Sequence, residues 1–329
     1  MPRKRRFEIA VLALACVGAP SCGNGAAEGP RTPAGGTAGT PGPSGGGTPS
    51  GNAGGTPSAG SPSGGVATGG GTTSSAGATS SGGSALAGSA SGGSASGGSS
   101  GGPWTFPAGV TKPRIMIVGD SISAGPGCYK KFLLKDLTDN GYSNFEFVGE
   151  YTDDCGGGVR HSAVSCSTAE QYTMPTFTMP NCFQGQSFPG MSALVTTHKP
   201  DLIMLQLGVN DVWGYKTTEN ILGNYAKLIE QARAQNPKVV LVVAQIQKIR
   251  PDCSDDDTLT KHAEELVNAV PAWAMTQNQA ESPVFVADLW TNSDWSMAET
   301  IDCVHPNDVG AARMGMNWFN TLKNILKPG

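Results

Sequence analysis

The chain has 329 residues, and 29 of its 47 glycines lie between Gly23 and Gly102, where only Glu28 and Arg31 carry charge. That stretch has almost nothing to bury and cannot offset its own ordering entropy. Residues 104–329 carry 17 basic and 24 acidic side chains, which excludes the basic footprint of a nucleic-acid binder; glycines without a strict period of three exclude collagen, and the lack of a long apolar run excludes a membrane channel.

Residues 1–22 read as an export signal. The basic cluster Arg3, Lys4, Arg5 and Arg6 precedes an apolar run from Ile9 to Ala19 that is too short to span a bilayer. The ending Ala-Pro-Ser-Cys resembles a lipobox, which makes Cys22 the expected lipidation site, although Ala19 stands where leucine is commonest. Cys16 is a second candidate that would cut the apolar run short, and plain cleavage of the leader is the rival reading. Either way the protein is expected outside the cytoplasm, as a cell-surface or outer-membrane lipoprotein or as a secreted protein. It would meet the membrane only through that lipid. Residues 23–103 are expected to be a disordered Gly/Ser/Thr/Pro-rich linker with an average reach of about 50 Å. Such a stalk suits an enzyme that must reach an extended substrate, or it is a mere spacer.

Residues 104–329 hold one domain, of a length suited to a single well-buried core. Arg114–Val118, ending at Gly119, is the first strand-like run. Asn144–Val148, Leu202–Leu207, Val239–Ile246 and Val284–Leu289 follow. Their apolarity is continuous rather than alternating, which suits parallel strands covered on both faces. Between them lie helical patterns. Ile221, Tyr225, Leu228, Ile229 and Ala232 share one face of a helix entered near Thr217 and stopped before Pro237. Ala311, Met314, Trp318, Leu322 and Ile325 do the same at the C-terminus, with Asn307 or Asp308 as cap. Alternating strands and helices predict a three-layer α/β/α sandwich on a five-stranded parallel, flavodoxin-like sheet. Ligands then sit outside the carboxyl ends of the strands.

Three fragments fall at such ends. The first strand runs into Gly119-Asp120-Ser121-Ile122-Ser123. Gly119 permits a sharp turn, and Ser121 falls near a helix N-terminus, where it can attack a substrate or merely cap the helix. The third strand runs into Gly208-Val209-Asn210-Asp211. Asn210 can aim a neutral amide donor at an oxyanion, or belong to an ordinary turn. Near the C-terminus stands Asp302-Cys303-Val304-His305-Pro306-Asn307. Residues three apart on a helical turn are neighbours, so Asp302 can receive Nδ1–H of His305 and leave Nε2 facing a nucleophile. No zinc-type Cys/His spacing appears, so no metal and no cofactor are expected.

Together the three fragments resemble the SGNH or GDSL hydrolases, over most of the chain from Arg114 to Leu326. The resemblance implies Ser121 as nucleophile, His305 as general base, Asp302 as its orienting acid, and an oxyanion hole of Ser121, Cys166 and Asn210. Gly119, Asp120 and Gly208 support the site. Cys166 stands where the family has a glycine, within His161-Ser-Ala-Val-Ser-Cys166-Ser-Thr168, and Gly190 competes for the role. The wording Asp-Cys-Val-His-Pro-Asn-Asp-Val-Gly is similar to carbohydrate esterase family three. That implies a monomeric serine esterase that removes acetyl groups from a polysaccharide. A lipase, phospholipase or thioesterase of the same fold, or a non-catalytic surface binding module, is the alternative. Six cysteines remain after the leader, and an even number in an exported domain suggests disulfides. Chain proximity suggests Cys128 with Cys155 and Cys166 with Cys182, which leaves Cys253 with Cys303.

Overall fold

The structure is a computed structural model that describes residues 104–153, 155–179, 182–249 and 257–329. The expectations for the leader, Cys22, the linker and Cys253 lie outside the described residues.

In chain order the elements are β1 (Arg114–Gly119), α1 (Ser121–Ala124), α2 (Tyr129–Asp139), β2 (Glu146–Val148), β3 (Tyr151–Thr152), β4 (Arg160–His161), α3 (Ala169–Tyr172), β5 (Thr176–Met179) and β6 (Phe183–Pro189). They continue with α4 (Met191–His198), β7 (Leu202–Gln206), α5 (Val209–Trp213), α6 (Thr218–Gln235), β8 (Val240–Gln245), α7 (Asp257–Gln277), β9 (Val284–Asp288) and α8 (Asp308–Leu322).

The central sheet has the order β2-β1-β7-β8-β9, and every pair in it is parallel. Ile115–Val118 and Leu202–Leu205 are buried, as is Val240–Ala244. That is why their apolarity is unbroken: both faces are covered. α2 packs on α8, while α4, α6 and α7 pack in succession. The outcome is the predicted α/β/α sandwich with the flavodoxin-like order. The chain goes from β1 outward to β2 and then crosses back to β7, so the sheet's switch point lies between β1 and β7.

The five strand runs form as expected, although the edge strand β2 is two residues shorter than its apolar run. Helix α6 starts at Thr217, whose hydroxyl accepts from Asn220 N–H at 3.3 Å. Helix α8 starts at Asn307, whose side chain accepts from Val309 and Gly310 N–H. Each such cap is worth about 1 kcal/mol. Two antiparallel hairpins, β3–β4 and β5–β6, were not anticipated. Their strands are short and, in β6, largely exposed, so they give little hydrophobic signal. Helix α7 also went unpredicted. Disulfides join Cys128 to Cys155 and Cys166 to Cys182, as chain proximity suggested. Cys303 is disulfide-bonded as well.

Candidate active site

β1 delivers Ser121 to the carboxyl edge of the sheet. Gly119 is paired with Gln206 of β7, and a Cβ on it would lie 2.6 Å from Ser123 Oγ and 2.8 Å from Gln206 O. Only glycine fits there. Asp120 caps the four-residue α1, with its Oδ1 accepting from Ile122 N–H at 3.0 Å. Its Oδ2 is buried without a partner among the described residues. Burial pushes the Asp120 carboxyl up to about 7 against the opposing pull of the Ile122 N–H, and the nearby Asp211 charge adds to the rise. Ser121 is the first residue of α1, so its N–H is one of the groups a helix start leaves free.

β7 delivers Asn210 through Gly208, whose φ of +111° is a conformation that side chains rarely adopt. A Cβ there would also meet Tyr225 Oη at 2.6 Å. Asn210 Nδ2 donates to Ser167 O at 3.0 Å, which uses one of its two amide hydrogens. Asp211 accepts from Ala169 N–H at 3.1 Å. Burial raises its carboxyl to about 6, although the Ala169 N–H opposes the rise.

The loop between β9 and α8 supplies Asp302 and His305. They meet across a loop, not along the helical turn that the spacing suggested. Asp302 Oδ1 accepts the backbone N–H of His305 at 2.8 Å and that of Val304 at 3.2 Å. Its Oδ2 lies 2.8 Å from His305 Nδ1. Partial burial would raise this carboxyl, but the two N–H groups and the ring of His305 outweigh it and hold Asp302 below the ordinary carboxylate value. His305 Nε2 lies 2.8 Å from Ser121 Oγ, across 184 positions of sequence. Trp295 Nε1 donates to Val304 O, and Glu299 accepts from Trp295 N–H and pairs with Arg313, so the loop is anchored at both ends.

The competition between Cys166 and Gly190 turns on where their N–H groups go. Gly190 N–H donates to Pro175 O at 3.0 Å, and that contact holds it in the β5–β6 hairpin. A Cβ at Gly190 would strike Met174 O, which explains the glycine. Cys166 N–H has no acceptor among the described residues. Its neighbour Ser167 takes the Asn210 donor and gives its own hydroxyl to Gly119 O at 3.3 Å. The Cys166 segment therefore lies between Asn210 and the end of β1.

The sequence did not single out the polar groups behind α1. Ser123 Oγ donates to Gln206 Oε1 at 2.6 Å and lies 3.0 Å from Tyr129 Oη. The buried Lys130 ammonium donates to Ser123 O and lies 3.7 Å from Asp153. A lysine on a helix ordinarily reads as solvated, so no local signal points inward.

A three-layer α/β/α sandwich with a serine, a histidine and an amide gathered at the switch point is the architecture of the SGNH-type carboxylic ester hydrolases. The chain belongs to the GDSL-like Lipase/Acylhydrolase family, whose model matches residues 117–313. It is similar to a multidomain esterase of Ruminococcus flavefaciens, at 26% identity over 230 residues, which is 65% of this chain and 29% of that protein. The chain thus spans less than a third of the relative's length. Among solved structures it resembles a carbohydrate esterase of family 3 from Talaromyces cellulolyticus, at 26% identity and a TM-score of 0.53, covering 64% of this chain and 96% of the other. A family 3 carbohydrate esterase of Clostridium thermocellum, at 21% identity, shares the fold with a TM-score of 0.51 over 64% of this chain and 94% of its own.

Proposed function

We propose that the protein is a serine esterase that removes short acyl groups, foremost O-acetyl groups on a plant or cell-wall polysaccharide. The observation that carries the reading is the 2.8 Å approach of His305 Nε2 to Ser121 Oγ, with Nδ1 held at 2.8 Å by Asp302. Ser121 Oγ attacks the ester carbonyl while Nε2 takes its proton, a step typically worth about 10²–10⁴-fold. The oxyanion is received by the N–H groups of Ser121 and Cys166 and by the amide of Asn210. The alcohol leaves with the proton from Nε2. Water, deprotonated by the same nitrogen, then releases the acid from the acyl-enzyme. Asp302 keeps the proton on Nδ1 and balances the imidazolium as it forms.

One observation favours a carbohydrate ester: the carbohydrate esterase from Talaromyces cellulolyticus matches over nearly its whole length. The protein is exported and monomeric in this reading, and lipid on Cys22 or simple release decides whether it stays at the cell surface. Acetate release from acetylated xylan by the full chain tests the proposal. Release is expected, and a folded Ser121→Ala variant should show none. Equal release by that variant would overturn the assignment.

A further inference from the structure

Cys166 holds a backbone conformation that glycine favours, with φ at +66°. For an L-residue this left-handed region costs free energy, so it persists only where the surroundings impose it. Two restraints act on the segment. On one side Ser167 is fixed by its bonds to Gly119 O and Asn210 Nδ2. On the other, the Cys166 side chain is bonded to Cys182, at the turn of the β5–β6 hairpin, where Cys182 N–H donates to Met179 O. That hairpin is itself anchored. Phe177 and Phe188 are buried, and Phe177 packs edge-on against the buried Tyr172 at 4.9 Å.

φ is the rotation about the N–Cα bond. With Ser167 held, a change of φ at residue 166 swings the Cys166 N–H to a new direction. We propose that Cys182 is a positioning residue for the esterase reaction: through its disulfide, the hairpin holds Cys166 in the left-handed conformation that aims its N–H at the oxyanion. The disulfide does by tethering what a glycine would do by conformational freedom. This inference rests on the oxyanion role assigned to Cys166 above.

The test compares the full-length protein with Cys166→Ala/Cys182→Ala and Cys166→Gly/Cys182→Ala, using p-nitrophenyl acetate hydrolysis and thermal melting. The alanine pair should lose about tenfold in kcat with KM nearly unchanged, because the oxyanion exists only in the transition state. The glycine pair should recover most of that kcat, although its melting temperature stays as low as that of the alanine pair. A merely structural disulfide would show no such rescue. Should the alanine pair fail to fold, Cys182→Ala alone takes its place in the comparison. The proposal is overturned if removing the disulfide leaves kcat intact, or if the glycine pair is as slow as the alanine pair. Asn210→Ala separates the two layers of inference. If it too leaves kcat intact, the oxyanion reading itself fails; if it slows turnover while the cysteine variants do not, the positioning role alone fails.

Discussion

Asn210 and Asp120 show two ways in which a single side chain serves this site. Asn210 offers one amide hydrogen to Ser167 O and, in the proposed mechanism, keeps the other for an anion that exists only during reaction. Asn210→Ala should therefore lower kcat by about 10²–10³ while the melting temperature moves little, which steady-state kinetics and a thermal melt would check together. Asp120 holds the start of α1 from a buried position and has a carboxyl raised from 3.8 to about 7. The sign follows from linkage. A carboxyl whose folded value is raised binds its proton more tightly in the folded state, so its contribution to stability declines as pH rises from 3.8 to about 7. Asn keeps the cap without the charge. Relative to the wild type, Asp120→Asn should gain stability progressively across that window, and melts at several pH values would reveal it. A difference that does not change with pH would contradict the burial account.

At the scale of elements, the site depends on loops that the sheet edge presents and disulfides restrain. Cys128 lies just after α1 and has a left-handed φ of +47°, and its bond to Cys155 closes a span of 27 residues. Removing such a link costs about 3 kcal/mol, so Cys128→Ala/Cys155→Ala should lower the melting temperature by roughly 6–12 °C. Calorimetry would measure it. Elements with unbroken apolar runs were legible in the sequence, because β1, β7 and β8 are buried on both faces and leave no polar alternation to confuse the reading. Helices α6 and α8 were legible through their caps, Thr217 and Asn307. The two hairpins were not, since β3 and β4 are two residues each and β6 faces solvent. The buried Lys130 was equally hidden, because its partners lie on other segments and only the fold brings them near. The spacing of Asp302 and His305 identified the pair but not the cause of their meeting, which is a loop fastened by the carboxylate's own bonds to backbone N–H groups.

For the whole molecule, the flavodoxin-like order puts the ends of β1 and β7 side by side at the switch point, and the loop before α8 completes the cleft. Ser121 and His305 thus meet although they are remote in sequence, and Asn210 bonds Ser167, whose hydroxyl reaches the end of β1. The central claim, that Ser121 is a nucleophile activated by His305, is tested most directly by treating the protein with a fluorophosphonate and locating the adduct by mass spectrometry. One adduct is expected, on Ser121, and it should be lost in a folded His305→Ala variant. An adduct on another residue, or labelling of Ser121 that persists undiminished without the imidazole, would contradict the account.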